Sequence, residues 1–204
     1  NAENASNGSG LTPRDYRQIR ASGVDAITLG DHIYRKLDIV EVLHTPSEPI
    51  CKPANYPATA PGRDFALVKV GAVRLAVISL LGRTFMKPNA DCPFTAADRV
   101  LADLRGQADV ILVDIHAEAT ADKYLMFHHL KGRVAAVFGT HTHVQTADEQ
   151  ILNGTAFVCD VGMTGPFDSV LGRRIDRLLS TAIDFVPTMF DVATGDVRLS
   201  GAIV

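Results

Sequence analysis

"DVILVDIHAEATADKYLMFHHLKGRVAAVFGTHTH", residues 109–143, carries the reading that decides the fold. Its first apolar run, ending "VILVDIH", is β-branched and too short for an ordinary helix, which predicts a buried strand whose tip holds Asp114 and His116. Residues 119–131 then read as a helix, and "VAAVFG" at 134–139 as a second buried strand that runs directly into His141 and His143. A strand, a helix and a strand in succession predict a parallel pair joined by a crossover.

The same grammar extends outward in both directions. Residues 94–106 predict a helix before "DVILVDIH". Nearer the start, "LTPRDYRQIRASG" offers Thr12 as N-cap, Pro13 in the first turn, Asp15 as capping partner and Gly23 as stop, ahead of the apolar run "VDAITLG" and its tip Asp31-His32. Around Gly71, "FALVKV" and "VRLAVISLLG" predict a hairpin, and "FVPTMFDVATGDVRLSGAIV" predicts another that turns at Thr194 and Gly195. Residues 46–62 are proline-rich and read as a long ordered loop without regular structure. The fold class expected is α/β, with a parallel-type core and antiparallel additions, in a single domain spanning 1–204.

Composition narrows the function classes. With 204 residues and 47% hydrophobic content the chain can build a sizeable core, and a formal charge of −3 provides no basic footprint for stable nucleic-acid binding. Three cysteines, Cys51, Cys92 and Cys159, show no CxxC spacing, so a reducing, cytoplasmic setting is expected. No apolar run approaches the roughly 20 residues of a spanning helix, so no membrane partner is expected.

Chemistry gathers where predicted strands stop, the face on which open α/β sheets collect ligands. Asp31 and His32, Asp114 and His116, and the pair His141 and His143 all occupy such ends. A single histidine there is more often a satisfied polar residue than a ligand, and His-x-His alone is as readily a polar turn as a metal claw. Several strand ends together favour a shared site. In extended backbone, residues two apart point the same way, so both rings of the pair are expected to face one metal or two neighbouring ones. Asp114 reads either as an orienting partner for an imidazole or as a cap or ion-pair partner, and Glu118 as a favourable charge near a helix start. His44, His128 and His129 read as structural or solvated, as do Arg173, Arg174 and Arg177 on a helix face. Imidazole and carboxylate donors together suit manganese, iron or zinc better than calcium or magnesium.

Taken in order, "NAENASNGSGLT", "GVDAITLGDHIY", "LLGRTFM", "VDIHAEATADK", "FGTHTHVQTAD" and "DVGMTGPFDSVLG" resemble the YmdB-like metallophosphoesterases of the calcineurin-like superfamily, across nearly the whole chain. The resemblance implies a β-sandwich of two mixed sheets flanked by helices. It also implies a centre of two divalent ions, iron or manganese with zinc as a third option, that hydrolyses small phosphodiesters such as 2′,3′-cyclic nucleotides. By position, Glu3 matches the bridging carboxylate, Asn4 and His143 match ligands of the first metal, and Asp31, His116 and His141 match ligands of the second. His32 matches the proton donor, and Gly162, Thr164 and Gly165 lie on a loop that the family keeps near the phosphate.

In such a centre a hydroxide held between metals about 4 Å apart attacks phosphorus, and an acid protonates the departing alkoxide. The family also implies a preceding strand ending in Gly-Asp, so the chain is expected to be truncated at its start and its first metal site weak. Asp31 stands where the family has Asn, adding negative charge. That departure keeps open a second expectation, a metal- or nucleotide-binding regulator with little catalysis. A related enzyme of the capsule-polymer branch is disfavoured by "ENA" and "GMTGPFDSVLG". The family further implies self-association as a homo-oligomer.

Overall fold

The computed structural model describes residues 1–204. Its helices are α1 (Pro13–Ala21), α2 (Ile39–Leu43), α3 (Pro93–Asp103), α4 (Thr120–Leu130) and α5 (Ile175–Asp184). Its strands are β1 (Ile27–Thr28), β2 (Ile50–Cys51), β3 (Phe65–Val70), β4 (Val73–Leu81), β5 (Val110–His116), β6 (Ala136–Thr140), β7 (Gln150–Leu152), β8 (Thr155–Val158), β9 (Gly165–Pro166) and β10 (Val197–Arg198). No helix is long and apolar enough to cross a membrane.

The architecture is mixed α/β around a six-stranded sheet in the order β3-β4-β5-β6-β8-β7. β4, β5, β6 and β8 run parallel, and the antiparallel strands β3 and β7 close the edges. Thus the segment 109–143 forms the expected β5-α4-β6 crossover, and α3 makes the equivalent connection from β4 to β5. The hairpin around Gly71 also forms, with Val70 opposite Val73.

Strand alternation assigns the two faces of this sheet. Val113, Ile115 and Val137 face α3 and α4, packing with Val100, Met126, Phe127 and Leu130 in one buried cluster. A second cluster joins Leu11, Tyr16, Ile27, Leu29, Ile33, Ile39 and Leu43 to Leu81 on the other side. Between that layer and the sheet lie Asp114, His116 and Thr140, whose register sets Leu81 beside His116 and His116 beside Thr140. Three parallel strand ends therefore finish level with one another under the loop that follows β1.

Thr12 caps α1 as expected, its hydroxyl accepting the Asp15 N–H at 3.2 Å. Elsewhere the sequence reading needs correction. Residues 46–62 are not wholly irregular: Ile50 and Cys51 form β2, parallel to Ile27 and Thr28, because two consecutive non-proline residues suffice for that short ladder. The hairpin expected at Thr194 and Gly195 is absent. α5 precedes that region and ends at Phe185 with φ +57°, Pro187 lacks a ladder donor, and Val197 pairs with Pro166 instead. The β7–β8 hairpin, which the sequence reading passed over, turns at Asn153 and Gly154, whose φ angles of +51° and +80° suit a tight hairpin turn.

Candidate functional site

Four donors converge above the parallel strand ends. Glu3, Asp31, His116 and His141 each offer one ligand-type atom, and these atoms all lie within 4.8 Å of one another. His116 Nε2 is 3.1 Å from Glu3 Oε1, 3.0 Å from Asp31 Oδ1 and 3.1 Å from His141 Nδ1. Such separations match the edge of a coordination shell whose bonds are about 2.1 Å long. The donors are also of the kinds that borderline divalent ions accept, so the residues present fit the metal that their chemistry implies. Gly30 makes the convergence sterically feasible: a Cβ there would meet Glu3 Oε2 and the His116 ring.

Beside this cluster lies a second group. Asn4 Oδ1 accepts from His32 Nδ1 at 2.8 Å, while Asn4 Nδ2 is 3.3 Å from both Glu3 Oε1 and His143 Nε2. The His32 backbone N–H donates to Glu3 Oε2 at 3.0 Å, and its Nε2 stands 3.7 Å from Asp31 Oδ2. Glu3 thus touches both groups. His143 donates Nδ1–H to the Leu171 carbonyl at 3.2 Å, leaving its Nε2 lone pair toward Asn4.

The His-x-His pair is not extended. His141 has φ +96° and His143 φ +64°, so the two rings part, one to His116 and the other to Asn4. Left-handed backbone is costly for residues other than glycine and persists where its surroundings fix it. Here Thr142, between the histidines, is fixed by Asp160, whose Oδ2 accepts its N–H at 3.2 Å and its hydroxyl at 2.6 Å.

A further layer orients the imidazoles. His116 donates Nδ1–H to Thr140 Oγ1 at 2.8 Å, and that hydroxyl donates to Asp114 Oδ1 at 2.7 Å. The other Asp114 oxygen accepts from Thr28 at 2.6 Å and Asn1 at 2.9 Å. Asp114 therefore takes the orienting alternative of its two sequence readings, acting through Thr140, a residue that the sequence reading missed. The signal was present: Thr140 directly precedes His141 at a strand end. Glu118 likewise lies 3.2 Å from His141 Nε2, a role beyond that of a helix-start charge.

Burial pulls the His116 imidazole toward neutrality, but its hydrogen bonds to Asp31 and Glu3 outweigh this and raise it to about 9. For Asp31, burial pushes upward and the bonds to His116 and His141 prevail, holding its carboxyl well below the usual range. A metal ion bound there would compete with a proton for the same imidazole nitrogen.

The remaining predicted residues make no hydrogen bond to the four donors. Gly162 donates its N–H to Asp160 Oδ1 at 2.7 Å, Thr164 bonds to Ser200, and Gly165 pairs with Arg198 in the ladder. Among the other histidines, His129 pairs with Asp98 and His128 packs against Phe127, outside the cluster. Arg173 is not on a helix face: it precedes α5, and its guanidinium bonds the carbonyls of Asn7, Gly8 and Phe190 because the nearby loops bring those acceptors together.

Comparison with known proteins agrees with this geometry. A family model described as YmdB-like protein matches residues 1–204. The chain is 43% identical over 205 residues to a 2′,3′-cyclic-nucleotide 2′-phosphodiesterase of Bacillus subtilis, covering 100% of this chain and 77% of that relative. It resembles a crystal structure of a hypothetical protein from Thermus thermophilus, with 42% identity and a TM-score of 0.90 over 97% of this chain and 77% of the other. A Mycoplasma pneumoniae structure described as a novel phosphatase gives 30% identity and a TM-score of 0.83, over 94% of this chain and 69% of the other.

Proposed function

The chain belongs to the YmdB-like family of metallophosphoesterases, and from that premise we propose that it is a metal-dependent hydrolase that opens small phosphodiesters such as 2′,3′-cyclic nucleotides. The observation that carries the reading is the meeting of Glu3, Asp31, His116 and His141 within 4.8 Å, with Asn4, His32 and His143 bonded alongside. Glu3, Asp31, His116 and His141 would hold one divalent ion, and Asn4, His143 and the shared Glu3 would serve a second. Iron and manganese are the ions proposed, since imidazole and carboxylate donors are mixed. Such ions supply Lewis acidity toward phosphoryl oxygens and a nucleophile at neutral pH.

The chain's own residues do the rest. The Thr140–Asp114 relay and Glu118 fix which nitrogen each imidazole presents. His32, anchored through Nδ1 to Asn4, is 28% exposed in its side chain and keeps Nε2 as the atom from which a proton reaches the departing alkoxide. Cleavage of the ester at O2′ leaves a 3′-nucleotide.

The test is turnover of 2′,3′-cyclic AMP by the manganese- or iron-loaded protein, read as 3′-AMP released. His141→Ala is expected to lose metal and activity together, and His32→Ala to keep metal while losing roughly 10²- to 10⁴-fold in rate. Wild-type turnover in both variants would remove the assignment. The Asp31 carboxylate favours one other reading, a binding protein that retains nucleotide without cleaving it. Calorimetry showing tight, uncleaved 2′,3′-cyclic AMP on a loaded centre would select that alternative.

A further inference from the structure

α4 buries Lys123, Met126, Phe127 and Leu130 on one stripe, and the lysine is the anomaly in it. Its side chain is fully buried, and so is the partner carboxylate, Asp160, 2.9 Å from Nζ. A buried ammonium is harder to desolvate than the apolar residue that this stripe otherwise uses. The stem passes Gly139 in β6, where a Cβ would strike both the Cys159 carbonyl and the Lys123 side chain. The ammonium emerges behind the His141–His143 turn, where it also donates to Thr142 Oγ1 at 3.1 Å.

Asp160 accepts four donors. Oδ2 takes Lys123 Nζ, the Thr142 N–H and the Thr142 hydroxyl, and Oδ1 takes the Gly162 N–H. The Thr142 hydroxyl bonds to Lys123 and Asp160 and not to Glu3, Asp31, His116 or His141. The backbone on both sides of it is left-handed, however, and that conformation is what sends His141 to one group and His143 to the other. We propose that the buried Lys123–Asp160 pair is a positioning device that clamps Thr142 and thereby sets the two flanking histidines at the separation a metal centre needs. Lys123, Asp160 and Thr142 are positioning residues: they act through His141 and His143. The inference rests on reading this site as a metal centre.

Removing Lys123 strands a buried carboxylate and risks the fold, so the decisive variant is Thr142→Val, which deletes only the hydroxyl and leaves the ion pair intact. The assay titrates the full chain with Mn(II) and reads free ion by electron paramagnetic resonance, alongside the melting temperature of the cation-stripped protein. Thr142→Val is expected to bind Mn(II) roughly 10- to 100-fold more weakly while still melting cooperatively within a few degrees of wild type, since Lys123 and Asp160 keep each other, and Thr142→Ser to restore affinity. Wild-type affinity in Thr142→Val overturns the positioning role alone. A wild-type protein that takes up no Mn(II) sinks the metal-centre reading and this role with it, a result distinct from tight binding that ignores Thr142.

Discussion

Replacing Thr140 by valine should destabilise the protein by about 3 kcal/mol, although the two side chains have nearly the same shape. The Thr140 hydroxyl links the His116 Nδ1–H, 2.8 Å away, to Asp114 Oδ1, 2.7 Å away. Thr140 is 6% exposed, and Asp114 and His116 are 0% and 1% exposed, so water does not readily replace what the methyl removes. Leaving a buried donor or acceptor unpaired costs about 1–3 kcal/mol, more when charged, and here one of each is stranded. Asp114 keeps its bonds from Thr28 and Asn1, which moderates the loss. No cavity opens, so no packing penalty is added. The assay is urea denaturation of the cation-stripped protein: the midpoint should fall with the slope unchanged, and Thr140→Ser should recover most of it. A loss under about 1 kcal/mol would mean that the relay carries no energetic weight, and the orienting role assigned to Asp114 would fall with it.

Gly30→Ala places a methyl against Glu3 and the His116 ring, so Mn(II) uptake should be abolished or cut by at least about tenfold while far-ultraviolet dichroism stays wild-type; unchanged uptake would show that the donors do not need that approach. Glu118→Ala removes a half-exposed carboxylate, so stability should move by less than about 0.5 kcal/mol while Mn(II) affinity drops severalfold; equal affinity would return Glu118 to a bystander. Asp31→Asn takes a negative charge from the centre and should raise turnover of 2′,3′-cyclic AMP or shift the preferred metal, whereas an unchanged rate and metal profile would strip the substitution of significance.

Much of this arrangement was legible in the sequence because it follows from local rules. The 109–143 crossover shows itself as two short apolar runs around a helix, and Asp31, His116 and His141 stand at strand ends where parallel topology brings distant residues together. The supporting groups were opaque for a physical reason. Thr140, Lys123 and Asp160 act through bonds spanning between 18 and 37 positions, and nothing in their immediate neighbours distinguishes a clamp from an ordinary polar residue. His141 and His143 show the limit most clearly. Spacing alone fixed their pairing only under the assumption of extended backbone, and left-handed angles replaced it.

The wide sequence separation of the donors also bears on folding kinetics. Glu3 and His141 meet across most of the chain, and the neighbours of Glu3, Ala2 and Asn1, bond to Thr28 and Asp114. Closing long loops costs entropy that the sheet must offset first, so the cation pocket is expected to form after the barrier rather than on it. A divalent ion should therefore leave the refolding rate nearly unchanged and act as a brake on unfolding, lengthening the native lifetime in proportion to its occupancy.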